Sequence, residues 1–164
     1  MPIAKIDAYS ISLFLHIAAV VIGLGSTYAL ALTFPIAQKL DDRHLPYVHA
    51  LGVAVARYLA TPALVVILVT GMYQVADDPG DTIGFGDAWV SASFLILIIL
   101  GGMLGGYFIP TDRRLGAMVE RELQSGGQPS DEYTRGAKQS GVVGVIAGVL
   151  VLIAIFLMTT KPGA

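Results

Sequence analysis

Residues 11–34 form a predominantly apolar run in which the one ionisable side chain is His16. About 20 consecutive apolar residues cross the hydrocarbon core of a bilayer, and a segment in that medium must satisfy its own backbone hydrogen bonds. The run is therefore a membrane-spanning helix. Ser12, His16, Ala19, Gly23 and Ser26 recur at the spacing of one helical face, while Phe14, Ile17, Val21, Leu24 and Tyr28 fall on the other. Small and weakly polar residues let helices approach, whereas bulky apolar residues suit lipid. His16 is expected to face the interior of a bundle, where an ionisable group is a candidate functional residue. The alternative is a neutral histidine that hydrogen-bonds Ser12 or a neighbouring helix.

Three further runs qualify as spans: 51–75, 88–109 and 141–158. With 55% hydrophobic and only 13% charged residues, the chain has no room for a separate soluble domain. The fold class is all-α: a single four-helix transmembrane bundle covering residues 1–164. The first run far exceeds the length of a signal-peptide core, so it is expected to be retained. Lys39, Arg43 and Arg57 follow or flank the first connection, and Arg113, Arg114, Arg121, Arg135 and Lys138 fill the third. The opposite side has Lys5, Lys161 and an acidic loop with Asp77, Asp78, Asp81 and Asp87. Basic residues stay on the cytoplasmic side, so both termini are expected outside. The chain contains no cysteine. Disulfides, thiolate metal sites and cysteine nucleophiles are excluded.

Several positions carry chemical interest. Pro35 is expected to end the first helix or allow one more turn. His44 is read as solvated, and His49, at the mouth of helix two, as interfacial. Arg57 precedes Pro62, which frees the carbonyl of Tyr58 and should kink the helix. An anion or propionate clamp around Arg57 competes there with an arginine that snorkels to lipid phosphates. Thr70, Met72, Tyr73 and Gln74 bring polar groups to about the depth of His16. The loop DDPGDTIGFGD lacks the spacing of the twelve-residue calcium loop and reads as a solvated turn, with Asp87 as N-cap of helix three and Trp89 in the aromatic belt. Between spans three and four, Leu115, Met118, Val119 and Leu123 make the apolar stripe of a short amphipathic helix, expected along the cytoplasmic interface. It ends at Ser125-Gly126-Gly127, and Ser130 opens the next helix. Gly101, Gly102, Gly105 and Gly106, with Gly141, Gly144 and Gly148, suit close helix packing within or between subunits. No feature calls for nucleic acid.

Taken together, four passages resemble the bacterial integral membrane family known as domain of unknown function 2269. They are Leu15-His16 with Gly23 and Gly25, Val69-Thr70-Gly71-Met72-Tyr73, Phe85-Gly86-Asp87-Ala88-Trp89, and Phe156-Leu157-Met158-Thr159-Thr160-Lys161-Pro162-Gly163. The resemblance extends distantly to small four-helix membrane proteins that include copper-resistance D-like proteins and the bacterial haem-associated protoporphyrinogen oxidase. It implies a multi-pass protein of the bacterial inner membrane in which a first-helix histidine, here His16, is a haem or metal ligand. Val21-Ile22 stands where that group often has a tryptophan, and the oxidase's other signature residues are missing, so its activity is not carried over.

Two classes of function remain. The first is a non-catalytic scaffold or accessory subunit, self-associating or joining a larger complex through the faces of Gly101, Gly105, Gly144 and Gly148. The second is a haem-b-binding electron-transfer protein with His16 as axial ligand, Met72 or Met158 as partner ligands and Arg57 as a polar contact; a second His16 from another copy could complete a bis-histidine pair. Copper handling is the weakest reading, because soft ligands are few. Paired broken helices and buried coupling carboxylates, which would argue for a transporter, are absent from the sequence.

Overall fold

The computed structural model describes residues 7–80 and 82–163. Residues 1–6 of the lead-in, Lys5 among them, and Asp81 of the acidic loop lie outside the described residues. Four long helices account for nearly everything: α1 (Ala8–Ala37), α2 (Asp42–Ala76), α3 (Ala88–Gln124) and α4 (Asp131–Thr160), each long and apolar enough to cross a membrane. No strand occurs among the described residues. The α1 backbone stays helical beyond Pro35 to Leu40. Short connections make consecutive helices antiparallel, so one end of the bundle carries Asp77, Asp78 and Asp87 and the other carries the arginines.

Local chemistry sets the helix ends. Asp7 accepts from the Ser10 N–H at 2.8 Å to open α1, and Ser130 accepts from the Tyr133 N–H at 3.2 Å to open α4, as its sequence suggests. Asp87 occupies the N-cap position of α3 but its carboxylate turns back to the Gly84 N–H at 2.8 Å, so α3 begins without a side-chain cap. Lys161, in the left-handed region at φ 44°, closes α4.

Three helices contain a single π turn: Val20–Leu24 in α1, Ala56–Ala60 in α2 and Leu104–Phe108 in α3. The last two end just ahead of Pro62 and Pro110. Proline lacks an N–H and crowds the carbonyl four residues back, and the wider turn relieves that crowding. This is why α3 does not break after residue 109, where the sequence suggests a separate helix. It continues straight into the amphipathic stretch. The apolar stripe is covered by protein rather than laid along an interface, with Leu115 and Val119 fully buried against Ala37, Leu45, Tyr133 and Ala137. In α1 the π turn also rotates the register. Phe14, Ile17 and Val21 are exposed as expected, but Leu24 turns inward to line a central cavity.

The helices associate mainly as two pairs. In the half of the bundle near the acidic loop, α1 packs along α2, and α3 packs along α4. Gly23 lies so close to Ala63 that an added Cβ would overlap its methyl group. At the arginine-rich end α2, α3 and the start of α4 share one core. Helix α4 is the least covered, and most of its apolar surface is exposed. A Cβ on Gly101, Gly105 or Gly144 would meet nothing, whereas Gly148 packs under the Tyr28 ring, whose hydroxyl donates to the Gly148 carbonyl at 2.7 Å.

Candidate functional site

His16 sits on the inward face of α1 and is only 8% exposed. Its Nδ1 lies 2.9 Å from the Thr70 hydroxyl oxygen on α2. Thr70 donates its single hydroxyl proton to the Val66 carbonyl at 2.6 Å, a bond a helix makes readily to the preceding turn. With that proton committed, the Thr70 oxygen can only accept from His16, so Nδ1 carries the imidazole hydrogen. No hydrogen bond to Nε2 occurs among the described residues. The ring rests beside Gly71, where an added Cβ would stand 3.4 Å from Cε1. Ser12 donates to the Thr70 carbonyl at 3.4 Å, and Gln74 reaches the Ser12 carbonyl at 3.5 Å. The polar cluster expected from Thr70 and Gln74 therefore forms around His16. Tyr73 instead bonds Asp77.

One helical turn deeper, Val20, Ile67, Ser93 and Met158 help to line an apolar cavity of about 30 Å³ bounded by all four helices. Positions four apart share a helical face, so His16 stands one turn above Val20 and Trp89 one turn above Ser93. Both belong to the same layer, on the acidic side of the cavity. Trp89 is 8% exposed, and its Nε1 is a buried donor with no partner among the described residues. The Lys161 ammonium lies 5.9 Å from the centre of its ring. An unpaired acceptor nitrogen and an unpaired indole N–H thus flank one seam between the two helix pairs.

The second buried histidine is fully engaged. His49 Nδ1 meets Asp112 Oδ1 at 2.8 Å, and Nε2 meets the Tyr133 hydroxyl at 2.9 Å. Phe34 and Tyr133 present ring edges to it. Gly52 and Gly116 make room, since a Cβ would come within 2.7 Å of Asp112 Oδ2 and 3.0 Å of His49 Cβ respectively. This chain of side chains ties α2, α3 and α4 together.

Residues 10–162, nearly the whole chain, match a family of predicted integral membrane proteins, DUF2269. The chain belongs to that family. No curated protein and no solved structure matches it.

For this DUF2269 member, the remaining residues singled out by sequence are not gathered at His16. Met158 lines the cavity on α4, while Met72 is half exposed on the flank of α2. Arg57 is exposed, and 13 residues of helix separate it from Thr70, about 20 Å at 1.5 Å per residue. It forms no ion pair among the described residues. In the acidic loop Asp78 takes the Thr82 N–H at 2.6 Å, the Thr82 hydroxyl at 2.9 Å and the Ile83 N–H at 3.1 Å, so this carboxylate organises the turn. Among the described residues no three His, Asp or Glu side chains gather as a metal site. The sequence reading missed the His49 chain and the Trp89 donor. His49 has partners 63 and 84 residues away, and the signal that could have found them was three isolated polar residues brought level at one end by antiparallel helices.

Proposed function

We propose that this protein is a membrane electron carrier that holds a haem b in the acidic half of the bundle, with His16 Nε2 as axial ligand. The observation that supports this reading is the commitment of the Thr70 proton to Val66, which leaves His16 as the Nδ1–H tautomer with Nε2 unpartnered. Ligating histidines characteristically donate their other ring N–H to a neighbouring acceptor, which fixes the ring. Thr70 is that acceptor here. The donor set suits such a group in a second respect: the buried Trp89 N–H and the Lys161 ammonium are partners a carboxylate would take. The cavity itself has only the size of a water molecule, so a planar cofactor requires the α1–α2 and α3–α4 pairs to part along the seam where they scarcely touch. When bound, haem iron supplies a one-electron couple whose potential follows its axial ligands, burial and hydrogen bonds. Thr70 would orient the ligand, and Val20, Ile67 and Leu97 would exclude water. Met158, on the cavity wall, is the better placed of the two methionines for a second axial position; Arg57 belongs to the lipid interface of the other half.

The acidic end is placed outside, in keeping with the lysines and arginines of the other connections, in a bacterial inner membrane. The test is the visible spectrum of the purified protein, expressed with ample haem, in oxidised and reduced forms. A Soret band that sharpens on reduction and vanishes in His16→Ala is expected. A colourless wild type overturns the reading.

A second reading, a self-associating scaffold or accessory subunit, draws support from the unoccupied space at Gly101, Gly105 and Gly144. Close approach of a second helix there should be blocked by Gly105→Leu, read as a loss of dimer in cross-linking within lipid nanodiscs. Unchanged cross-linking, or none in the wild type, counts against it. Copper handling has no supporting geometry.

A further inference from the structure

We infer that the acidic rim of the seam, formed by the Trp89 indole N–H, the Lys161 ammonium and the uncapped start of α3, is a carboxylate subsite for an amphipathic ligand that enters from the bilayer. Its macrocyclic form rests on the haem reading; its single-chain form does not.

A buried indole N–H without an acceptor costs about 1–3 kcal/mol of desolvation, more so where no water can reach it. Trp89 Nε1 is such a group in a residue 8% exposed. It stands in the first turn of a 16-residue apolar helix segment whose N-cap side chain makes no capping bond. The first-turn N–H groups and the helix dipole favour a negative group there. Lys161 adds a full positive charge 5.9 Å from the Trp89 ring centre, held at the end of α4 by its own left-handed backbone. The carboxylates nearest in sequence are turned elsewhere, Asp87 to Gly84 and Asp78 to Thr82 and Ile83. Below this polar rim the seam is apolar, with Ser93 the one hydroxyl, and Ser93 donates to the Trp89 carbonyl at 2.8 Å. The arrangement is polar at the membrane surface and greasy beneath. That suits a molecule with a carboxylate head and an apolar body, and it offers nothing to a neutral one.

Two probes distinguish the sources of the carboxylate: iron-free protoporphyrin IX for a macrocycle and oleate for a single chain, each compared with its methyl ester. Binding would be measured with the full chain in phosphatidylcholine nanodiscs, by porphyrin absorbance and by displacement of a fluorescent fatty acid. At least one acid should bind about tenfold more tightly than its ester, the scale of one charge-assisted hydrogen bond. Trp89→Phe should lose most of that preference, and so should Lys161→Gln, an exposed change that does not endanger folding. His16→Ala should keep it, because neither probe carries iron, and this separates the subsite from the haem ligand. Equal binding of acids and esters, or a preference that survives both variants, overturns the inference even if the haem spectrum is found.

Discussion

The two buried histidines of this bundle lie in opposite halves and are treated differently. At the arginine-rich end His49 has both ring nitrogens engaged, by Asp112 and Tyr133, within a core where Leu115 and Val119 lose all solvent contact. In the acidic half His16 has one nitrogen engaged and one open, above a small cavity and beside an indole N–H with no acceptor. A polar group whose bonds are all made inside the protein specifies a structure; one left partly unmade in a low-dielectric setting keeps the capacity to bind something else. The arginine-rich half is therefore the clamp of the bundle, and the acidic half is where it can accept a ligand.

Substitutions should separate the two halves. His49→Ala removes an imidazole from three helices at once and leaves Asp112 and Tyr133 without partners; a loss of about 2–4 kcal/mol is expected. Thermal unfolding in detergent would measure it, and a loss below that expected for His16→Ala would erase the distinction. Gly23→Ala forces the new methyl onto Ala63 and should cost about 1–3 kcal/mol, because both groups are held by helix backbone. The same change at Gly105 meets open space and should alter stability by no more than about 0.5 kcal/mol. Comparable losses at both positions would mean that a second helix covers Gly105. His16→Ala should cost only about 1 kcal/mol, since Thr70 keeps its bond to Val66 and the lost contact is a single hydrogen bond. Its large effect should appear in cofactor binding instead.

The smallest effect belongs to the acidic loop. The N–H of Thr82, with its hydroxyl and the Ile83 N–H, holds the Asp78 carboxyl below its ordinary value of 3.8. A lowered carboxyl stabilises the folded loop above that value and loses its contribution as the pH falls through the depressed pKa. The Thr82 amide resonance should stay constant from neutral pH to about 4 and move only in more acidic solution. Movement near pH 5 would contradict the assignment.

Much of this fold was legible because lipid leaves few choices. Four apolar runs became four helices, and the small-residue face of α1 correctly turned His16 inward towards Thr70. Short-range signals such as Ser130 at the start of α4 also held. What escaped was relational. Nothing within a few residues of His49 announces Asp112 or Tyr133, and His49 at a helix mouth reads as interfacial until antiparallel packing brings the three level. Pro62 and Pro110 suggested a kink and a break, whereas the chain answers both with a widened turn that periodicity cannot reveal in advance. Leu24 went to the wrong face for the same reason.

Those widened turns have a consequence for how the molecule tolerates change. Each lies between a segment that builds the acidic half and one that builds the clamp: between His16 and Phe34, between His49 and Thr70, and between Trp89 and Asp112. A π turn holds one residue more than the α turn it replaces, so removing a single residue there would swing everything beyond it by about 100° around the helix axis. The extra residues act as phase shifters. They let one continuous rod present two independently aimed faces, and deleting Tyr107 or Tyr58 would put the two halves out of step while leaving the composition of both untouched.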